Sequence, residues 1–447
     1  MSKEEIRDAR DKSSAHLKSI FGDEAESVIA EARYGFISGL LKETLQRPPV
    51  ESVNTSDKVD RVIIHQWAGV PIFFIIMFGV FQLTFTASGP LMQLISNGFG
   101  WIAGAASHVS PAWLGSLLAD GVLAGVGTVL TFIPPIFLLF LALALLEDCG
   151  YLARAAFIMD RLMHRIGLHG RSFIPLLIGF GCNVPAIMAT RTIENPKDRL
   201  VTILINPLMS CGGRLPIYIL IAGAFFTAYQ GLVVFSMYGI GIAMAILMTL
   251  VFRKWLITGP SGHFVMELPP YRLPTFTGVA VHVWERGREF IKRAGTIILA
   301  GVVVVWLLSS MPWGVEYGSA QSLIGRIGST FAPIFSPLGF GQWQASVGII
   351  SGFVAKEQVV GVMATLFGVG DEMLGATMMS QLGWTPLVAY AFMAFCLIYV
   401  PCLATMTVIK SETASWKWVG FSMVYSVGLA WIVALIIYQV GIRLGLG

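Results

Sequence analysis

Three apolar segments of the sequence contain a cysteine beside residues that interrupt a helix. The first is Gly179-Phe-Gly-Cys-Asn-Val-Pro-Ala186, in which Pro185 removes a backbone N–H and the glycines weaken the preceding turn. The carbonyl groups freed there, together with Cys182 and Asn183, predict a cation site. The alternative is a proline-kinked helix in which Cys182 only packs, which is the commoner fate of a buried cysteine.

A second interruption is Asn206-Pro-Leu-Met-Ser-Cys-Gly-Gly-Arg-Leu-Pro-Ile217. Its candidate donors each carry oxygen or sulfur and are Asn206, Met209, Ser210 and Cys211. Thiolate and thioether groups prefer borderline or soft metals to Mg²⁺ and Ca²⁺. Arg214 lies among apolar neighbours, so it needs a carbonyl or carboxylate partner. The alternative is that Arg214 caps a half-helix at an interface and Cys211 only packs.

Two ionisable residues, Lys356 and Glu357, lie inside the apolar stretch Ala345–Phe367. At membrane depth each costs about 2.5–3.5 kcal/mol. They are therefore expected to pair, to face a water-filled path or to lie near an interface. We favour Glu357 as the carboxylate of a cation path, with a structural ion pair as the alternative.

Cys402 directly follows the helix-breaking Pro401, as the counterpart of the first interruption. At the end of another apolar run, Glu147 and Asp148 either collect cations or mark the membrane interface. The sequence contains no GxxxxGK[ST], GxSxG, HExxH or paired CxxC motif, and its seven histidines lack an HxxxH spacing. Catalysis by this chain is therefore not expected.

The composition indicates a membrane protein with a polar N-terminal segment. Of the 447 residues, 55% are apolar and 13% are charged, whereas a soluble protein carries about 25% charged residues. Residues 1–61 hold 22 of the 56 charged groups, which leaves too few to cover a soluble surface over the remaining 386 residues. Disorder, nucleic-acid binding and a disulfide scaffold are excluded, and the five cysteines are expected to be free thiols.

The predicted fold is an all-α polytopic membrane protein with about seven full spans. A spanning helix needs roughly 20 apolar residues. The predicted spans are 67–87, 121–146, 200–228, 231–252, 294–311, 384–409 and 418–442. Two more segments, 172–190 and 343–368, are interrupted by glycine, proline or charge and are predicted to be broken or re-entrant helices. Residues 3–46 are predicted to form amphipathic helix.

The basic residues indicate which segments face the cytoplasm. We expect residues 1–60 to be a cytoplasmic helical lead and 253–293 to be a cytoplasmic loop. Residues 61–252 and 294–447 are then two membrane regions, each with one copy of an internal repeat. The stretches 88–120 and 312–343 contain a single lysine or arginine, Arg326, and are expected to be external.

A weak internal repeat relates the two membrane regions. Gly150-Tyr-Leu-Ala-Arg154 matches Gly352-Phe-Val-Ala-Lys356, and the Val184-Pro185 pair is matched by Val400-Pro401. Three predicted crossings between the copies give them opposite orientations. Inverted repeats with paired interrupted helices are typical of a transporter whose site lies at the repeat interface near the bilayer midplane.

At these residues the sequence resembles the membrane region of ferrous iron transport protein B (FeoB), from about Ala30 to the C-terminus. The motifs that carry the resemblance are Leu146–Phe157, Gly179–Thr192, Asn206–Tyr218, Leu268–Pro274, Gly352–Gly361, Pro401–Thr405 and Glu412–Trp418. The resemblance implies Fe²⁺ uptake across a bacterial or archaeal inner membrane through two gate-like repeats. It also implies that the membrane cysteines lining the iron path are Cys182, Cys211 and Cys402.

The sequence departs from the family most in lacking the N-terminal GTPase domain and its phosphate loop, so we expect either a split gene, with the GTPase supplied in trans, or a truncated chain. It also has Cys149 and Gly212-Gly213 where the family tends to have polar or small residues. GTP is therefore not expected to bind this chain, and a GTPase domain or protein acting in trans is expected as a partner. Lipid is a further expected partner, a small accessory protein and a homo-oligomer remain open, and the N-terminus is expected in the cytoplasm.

We therefore predict a Fe²⁺ permease core. Its predicted metal ligands are Cys182, Asn183, Met209, Ser210, Cys211, Glu357 and Cys402. Its predicted gating or supporting residues are Glu147, Asp148, Arg154, Pro185, Asn206, Arg214, Lys356 and Pro401. Mn²⁺ and Zn²⁺ remain alternatives because raw affinity does not select Fe²⁺.

Two other functions remain open on the sequence. The first is a nucleoside or small-solute carrier that uses Asn183, Asn206 and Glu357 for hydrogen bonding. The second is a membrane sensor or scaffold that binds a GTPase through residues 1–60 and 253–293 and transports nothing.

Overall fold

The computed structural model describes most of the chain, and every regular element in the described residues is helical. The described residues are 3–21, 25–44, 55–65, 68–131, 133–256, 271–291, 296–312, 314–315, 317–367, 369 and 371–445. The chain forms two compact units, Met1–Lys58 and Val59–Gly447.

The N-terminal part contains two packed helices, α1 (Lys3–Phe21) and α2 (Ala25–Thr44). The described residues of the predicted amphipathic stretch 3–46 are thus helical, and residues 22–24 and 45–46 lie outside the described part of the chain. A short helix, α3 (Thr55–Ile63), follows and contains Asp60.

The remaining helices build the second unit, and they share a high apolar content. They are α4 (Gly69–Ala106), α5 (Ala112–Ser116), α6 (Ala124–Thr131), α7 (Ile133–Asp148), α8 (Tyr151–Arg165), α9 (Phe173–Gly179), α10 (Asn183–Ala189), α11 (Pro196–Ile205), α12 (Leu215–Phe225), α13 (Gln230–Trp255), α14 (Phe276–Phe290), α15 (Thr296–Ser310), α16 (Leu323–Phe335), α17 (Trp343–Val354), α18 (Gln358–Phe367), α19 (Asp371–Leu382), α20 (Pro386–Ile398), α21 (Leu403–Thr413) and α22 (Trp416–Arg443).

Six helical stretches of the described chain are long and apolar enough to cross a membrane. They are Gly69–Ala106, Trp113–Asp148, Pro196–Phe225, Gln230–Trp255, Pro386–Thr413 and Trp416–Arg443. Each overlaps one of the seven predicted spans. The seventh prediction, 294–311, falls on α15, of which the described part has 15 residues against the roughly 20 that a span needs. Residues 294 and 295 lie outside the described residues. The protein is therefore a multi-pass, all-helical membrane protein.

Helix α4 extends well beyond the predicted span 67–87. It continues to Ala106 with Pro90 inside it, so much of the stretch 88–120, expected as an external connection, is helix. The sequence has no Asp, Glu, Lys or Arg from Ala68 to Ala119, so the apolar run continues past Pro90. A proline removes one helical hydrogen bond, but in an apolar environment it does not have to terminate the helix.

Four elements of the second unit are each broken into two half-helices. The pairs are α9 and α10, α11 and α12, α17 and α18, and α20 and α21. The four interruptions between them lie at residues 180–182, 206–214, 355–357 and 399–402. The predicted breaks in 172–190 and 343–368 are thus confirmed, and the apolar stretches 200–228 and 384–409 are broken as well.

One buried carboxylate connects half-helices from the two sequence repeats. Glu412, near the end of α21, accepts hydrogen bonds from Arg191 and Arg199, with closest N–O distances of 2.6 Å to both. Its side chain is only 3% exposed. Arg191 follows α10 and Arg199 lies in the first turns of α11, so this carboxylate holds α21 against both.

Replacing Glu412 by Gln is expected to destabilise the protein by about 1.5–3 kcal/mol, because two arginines lose a charged, buried acceptor. A matched control is Glu194→Gln, since Glu194 also pairs with an arginine (Arg171, 2.5 Å) but is 84% exposed. That change should cost less than about 1 kcal/mol. Denaturant unfolding in detergent micelles measures both, and equal costs would contradict the bridging role of Glu412.

Candidate functional site

The four interruptions meet at one cavity of about 280 Å³. Residues from all four of them, and from α4, α6, α7 and α12, line its wall. The lining consists of Phe81, Thr84, Met92, Val129, Pro135, Ile136, Leu139, Gly181, Cys182, Val184, Cys211, Gly212, Gly213, Leu215, Pro216, Ile219, Val354, Ala355, Lys356, Glu357, Cys402 and Ala404. Most of these are apolar, so the few polar groups define what the cavity can bind.

Three thiols and one carboxylate supply the anionic or acceptor groups of this cavity. Cys182 is the residue before α10, Cys211 precedes the short turn that leads into α12, and Cys402 is the residue before α21. Glu357 directly precedes α18 in the same way. All four side chains are half-buried. Each interruption thus places one sulfur or carboxylate where the second half-helix begins.

Short contacts hold the interruptions together around the cavity. The N–H of Gly212 donates to the carbonyl of Gly181 over 3.0 Å, which joins the two interruptions of the first half. A Cβ atom on Gly213 would lie 3.1 Å from Oε2 of Glu357, so the glycine lets the carboxylate approach the backbone of the first half. The cavity is therefore shared by both halves of the chain.

The remaining predicted ligands lie beside the cavity and are not part of its lining. Met209 packs in the main hydrophobic core. Ser210 is fully buried and donates to the hydroxyl of Tyr218 over 3.1 Å. Asn183 is 4% exposed, and its Oδ1 has no hydrogen-bond partner among the described residues. Of the seven predicted ligands, four share the cavity.

Arg214 and Asn206 both donate hydrogen bonds to backbone carbonyls, Arg214 within the second interruption and Asn206 in α9. Arg214 is completely buried and donates to the carbonyls of Met209 (2.8 Å) and Pro207 (2.9 Å). These are the carbonyl partners that a buried arginine needs. The Nδ2 of Asn206 donates to the carbonyl of Pro175 over 2.9 Å, which fastens the second interruption to α9.

The two predicted prolines and the acidic pair occupy different surroundings. Pro185 is buried in the first turn of α10, and Pro401 is buried immediately before Cys402. Glu147 and Asp148 are the last residues of α7, and neither lines the cavity.

Arg154 does not share the environment of Lys356, although the sequence repeat pairs them. Arg154 lies within α8, where it is 1% exposed and binds the carboxylate of Asp60 at 2.5 and 3.0 Å. Its guanidinium also lies 3.7 Å from the centre of the Tyr271 ring. Lys356, by contrast, lies in an interruption and lines the cavity. The sequence match therefore does not extend to the structural role.

Two further cavity residues, Thr84 and Met92, could donate oxygen or sulfur to a ligand, and both lie in α4. Thr84 is 2% exposed, and its hydroxyl has no hydrogen-bond partner among the described residues. Met92 brings a thioether to the wall. The sequence signal was a polar run, Gln82, Thr84, Thr86 and Ser88, within an apolar stretch. Met92 lies beyond the predicted end of the first span at residue 87.

No preformed metal cluster exists in the described part of the chain: no three His, Cys, Asp or Glu side chains are grouped to hold an ion. The thiols line one cavity but do not converge on one point. An ion in this cavity would therefore contact few side chains at a time, together with carbonyl oxygens at the interruptions.

Pairs of half-helices that surround a central cavity in a multi-pass membrane protein are an architecture typical of transporters. Three family models match the chain in agreement with this description. "Nucleoside recognition" (Gate) covers residues 129–225 and 291–416, "Ferrous iron transport protein B C terminus" covers 234–286, and "FeoB cytosolic helical domain" covers 1–46. The chain belongs to the ferrous iron transport protein B family and corresponds to its membrane region.

Curated relatives named as iron transporters resemble almost the whole chain. The Fe(2+) transporter FeoB of Staphylococcus aureus (strain MSSA476) is 44% identical over 92% of this chain, and that of Methanocaldococcus jannaschii is 44% identical over 94%. A fusion of Fe(2+) transport protein A with FeoB from Porphyromonas gingivalis is 42% identical over 94%. The chain spans 55% to 63% of the length of these relatives. No solved structure matches it.

The cavity predicts a hierarchy of thiol reactivity in the folded protein. Cys182, Cys211 and Cys402 line the cavity, whereas Cys396 is completely buried in α20. A small methanethiosulfonate reagent should label the cavity thiols at least tenfold faster than Cys396, as peptide mass spectrometry of detergent-solubilised protein would measure. Cys396 should react at the rate of the others only after denaturation. Equal rates in the folded protein would contradict the assignment of the cavity.

Proposed function

We propose that this chain conducts Fe²⁺ across the cell membrane through the cavity between its four interruptions. The observation that carries the proposal is the shared location of Cys182, Cys211, Cys402 and Glu357 on one cavity wall. These groups and the freed backbone carbonyls would exchange with the water shell of the ion. The names of the curated relatives support the same cargo.

The chemistry of the lining favours a borderline metal. Thiolates select softer metals, and carboxylate and carbonyl oxygens suit harder ones, so a mixed set suits Fe²⁺, Mn²⁺ or Zn²⁺ better than Mg²⁺ or Ca²⁺. Affinity alone does not choose Fe²⁺ among them, because Cu²⁺ and Zn²⁺ bind most such sites more tightly. Selection for Fe²⁺ is therefore proposed to rest on geometry and on the supply of the metal.

The dispersed placement of the ligands suits transport better than storage. A path conducts when binding is strong enough for entry and weak enough for exit. Because the described side chains form no preformed cluster, the ion is proposed to pass between sulfurs in succession. The oxygen of Thr84 and the sulfur of Met92 supply further contacts along the wall. Asn183, Met209 and Ser210 are retained as ligands that become available only if the half-helices move.

A nucleoside carrier is the second candidate, since the matching gate model is described as nucleoside recognition. Such a substrate needs hydrogen-bonding groups on the cavity wall. The two amides considered for this role, Asn183 and Asn206, are absent from the lining, and Asn206 is bound to Pro175. The cavity therefore favours the metal, and a scaffold without transport would leave the thiol-lined cavity unused.

Energy coupling is proposed to come from a cytoplasmic GTPase domain or protein. Residues 1–46 match a cytosolic helical domain model, which supports a cytoplasmic N-terminus and an adjoining soluble partner. A basic loop at 253–293 on the same side and the two gate repeats at 61–252 and 294–447 complete the proposed organisation. The fusion with Fe(2+) transport protein A in one relative supports a small accessory protein as a further partner.

Combined replacement of the three cavity cysteines by serine tests the ligand assignment. In proteoliposomes under anaerobic conditions, Cys182→Ser, Cys211→Ser and Cys402→Ser together should reduce Fe²⁺ uptake at least tenfold, because oxygen replaces every soft ligand. The matched control is Cys396→Ser, which changes the same chemistry outside the cavity and should leave uptake near the wild-type rate.

Unchanged Fe²⁺ uptake by the triple variant would remove the thiols from the path. Uptake of a radiolabelled nucleoside by the wild type, without Fe²⁺ uptake, would instead establish the carrier alternative. If neither solute enters the proteoliposomes even when the GTPase partner is supplied, the scaffold alternative is left.

A further inference from the structure

Lys356 brings a positive charge to a cavity that is proposed to conduct a cation. It is the only lysine or arginine among the described residues that line the cavity, and it is 3% exposed. Its Nζ donates to the carbonyl of Val400 over 2.5 Å. It also lies 3.2 Å from the centre of the Tyr399 ring, in cation–π geometry.

Both contacts of the ammonium are groups that a metal ion or another cation could use. The carbonyl of Val400 lies between the end of α20 at Ile398 and the start of α21 at Leu403, outside either helix. Such freed carbonyls coordinate cations in interrupted membrane helices. Lys356 lines the cavity, and its ammonium occupies one of these freed carbonyls.

The ammonium also fastens two interruptions of the second half to each other. Lys356 belongs to the interruption at 355–357, and its partners Tyr399 and Val400 belong to that at 399–402. In the first half, the corresponding connection is the main-chain hydrogen bond between Gly212 and Gly181. The first connection is neutral, whereas the second depends on a cation that another cation can replace.

We propose that Lys356 is a tethered cation that fills the ion position in the metal-free cavity, is displaced by a divalent metal and thereby excludes monovalent cations. The proposal rests on the proposed function and names the residue that decides which ions enter. A K⁺ or Na⁺ ion carries the same charge as the ammonium and offers no better contact to the Val400 carbonyl. A divalent ion has twice the charge and gains sulfur contacts with the cavity thiols that an ammonium cannot match.

Displacement also gives the second half a way to respond to the ion. A divalent cation and the ammonium repel each other strongly in a cavity of low polarity. When the ammonium leaves Val400, the connection between the interruptions at 355–357 and 399–402 is lost. The main-chain connection in the first half is unaffected, so the movable part is α18 and α21.

Removal of the charge should therefore open the path to monovalent ions. Proteoliposomes carrying Lys356→Met are expected to release ⁸⁶Rb⁺ at least tenfold faster than wild type, and Fe²⁺ should block this release. Lys356→Arg keeps the charge and should remain as tight as wild type. Lys410→Met is the matched control, because Lys410 lies outside the cavity over the Trp416 ring and its loss should not produce a leak.

A second measurement uses the unaltered protein and does not depend on the folding of a variant. Acetic anhydride should acetylate Lys356 at least fivefold more in wild type loaded with Fe²⁺ than in wild type with K⁺ alone, as peptide mass spectrometry would measure. The proposal is overturned if Lys356→Met stays closed to ⁸⁶Rb⁺ while taking up Fe²⁺ normally. It is equally overturned if Fe²⁺ binds without changing the acetylation of Lys356.

These outcomes separate the role of Lys356 from the proposed cargo. If wild type takes up no Fe²⁺, the proposed function fails, and the ⁸⁶Rb⁺ comparison still decides whether Lys356 excludes monovalent ions. If Fe²⁺ uptake is normal and both Lys356 measurements are negative, the iron path stands and Lys356 is only a structural connection.

Discussion

Backbone polar groups at membrane depth have no water to bind, and this constraint organises the second unit. Four interruptions release carbonyl and N–H groups that a continuous helix would satisfy. Arg214 donates to two of these carbonyls, the N–H of Gly212 donates to the carbonyl of Gly181, and Lys356 donates to the carbonyl of Val400. These hydrogen bonds stabilise the interruptions within the apolar chain. The cavity lies between the four interruptions, where side chains do not fill the space.

The arrangement around the cavity follows from the way each half-helix begins. A residue that precedes a helix has extended backbone geometry, and its side chain lies beside the unsatisfied N–H groups of the first turn. Cys182, Cys211 and Cys402 all occupy this position, in backbone that is extended. Groups that tolerate negative charge are favoured there by the helix dipole. The thiols and the carboxylate thus reach the cavity because each precedes a helical segment, although they are not close together in the sequence.

Much of the fold was predictable because apolar length, proline and glycine act locally. Pro185, Pro216 and Pro401 marked three of the four breaks, and the buried Lys356-Glu357 pair marked the other. The extension of α4 past Pro90 was not predictable from local signals, since nothing in the sequence states whether neighbouring helices tolerate the proline. The structure brings Cys182, Cys211, Glu357 and Cys402 to one cavity wall, whereas Asn183, Met209 and Ser210 lie outside the lining. Adjacency along the chain does not determine which side of a half-helix faces the cavity. Arg154 and Lys356 share a sequence pattern, but their environments differ. Arg154 pairs with Asp60, which lies 94 residues earlier in the sequence, whereas Lys356 lines the cavity.

The bridge from Glu412 to Arg191 and Arg199 has a mechanical meaning for any motion of the half-helices. It lies near the opposite end of α21 from the cavity, ten residues after Cys402 in the sequence. If α21 moves relative to α10 and α11, this bridge would hold its Glu412 end in place. The displacement would then be largest at the end beside Cys402.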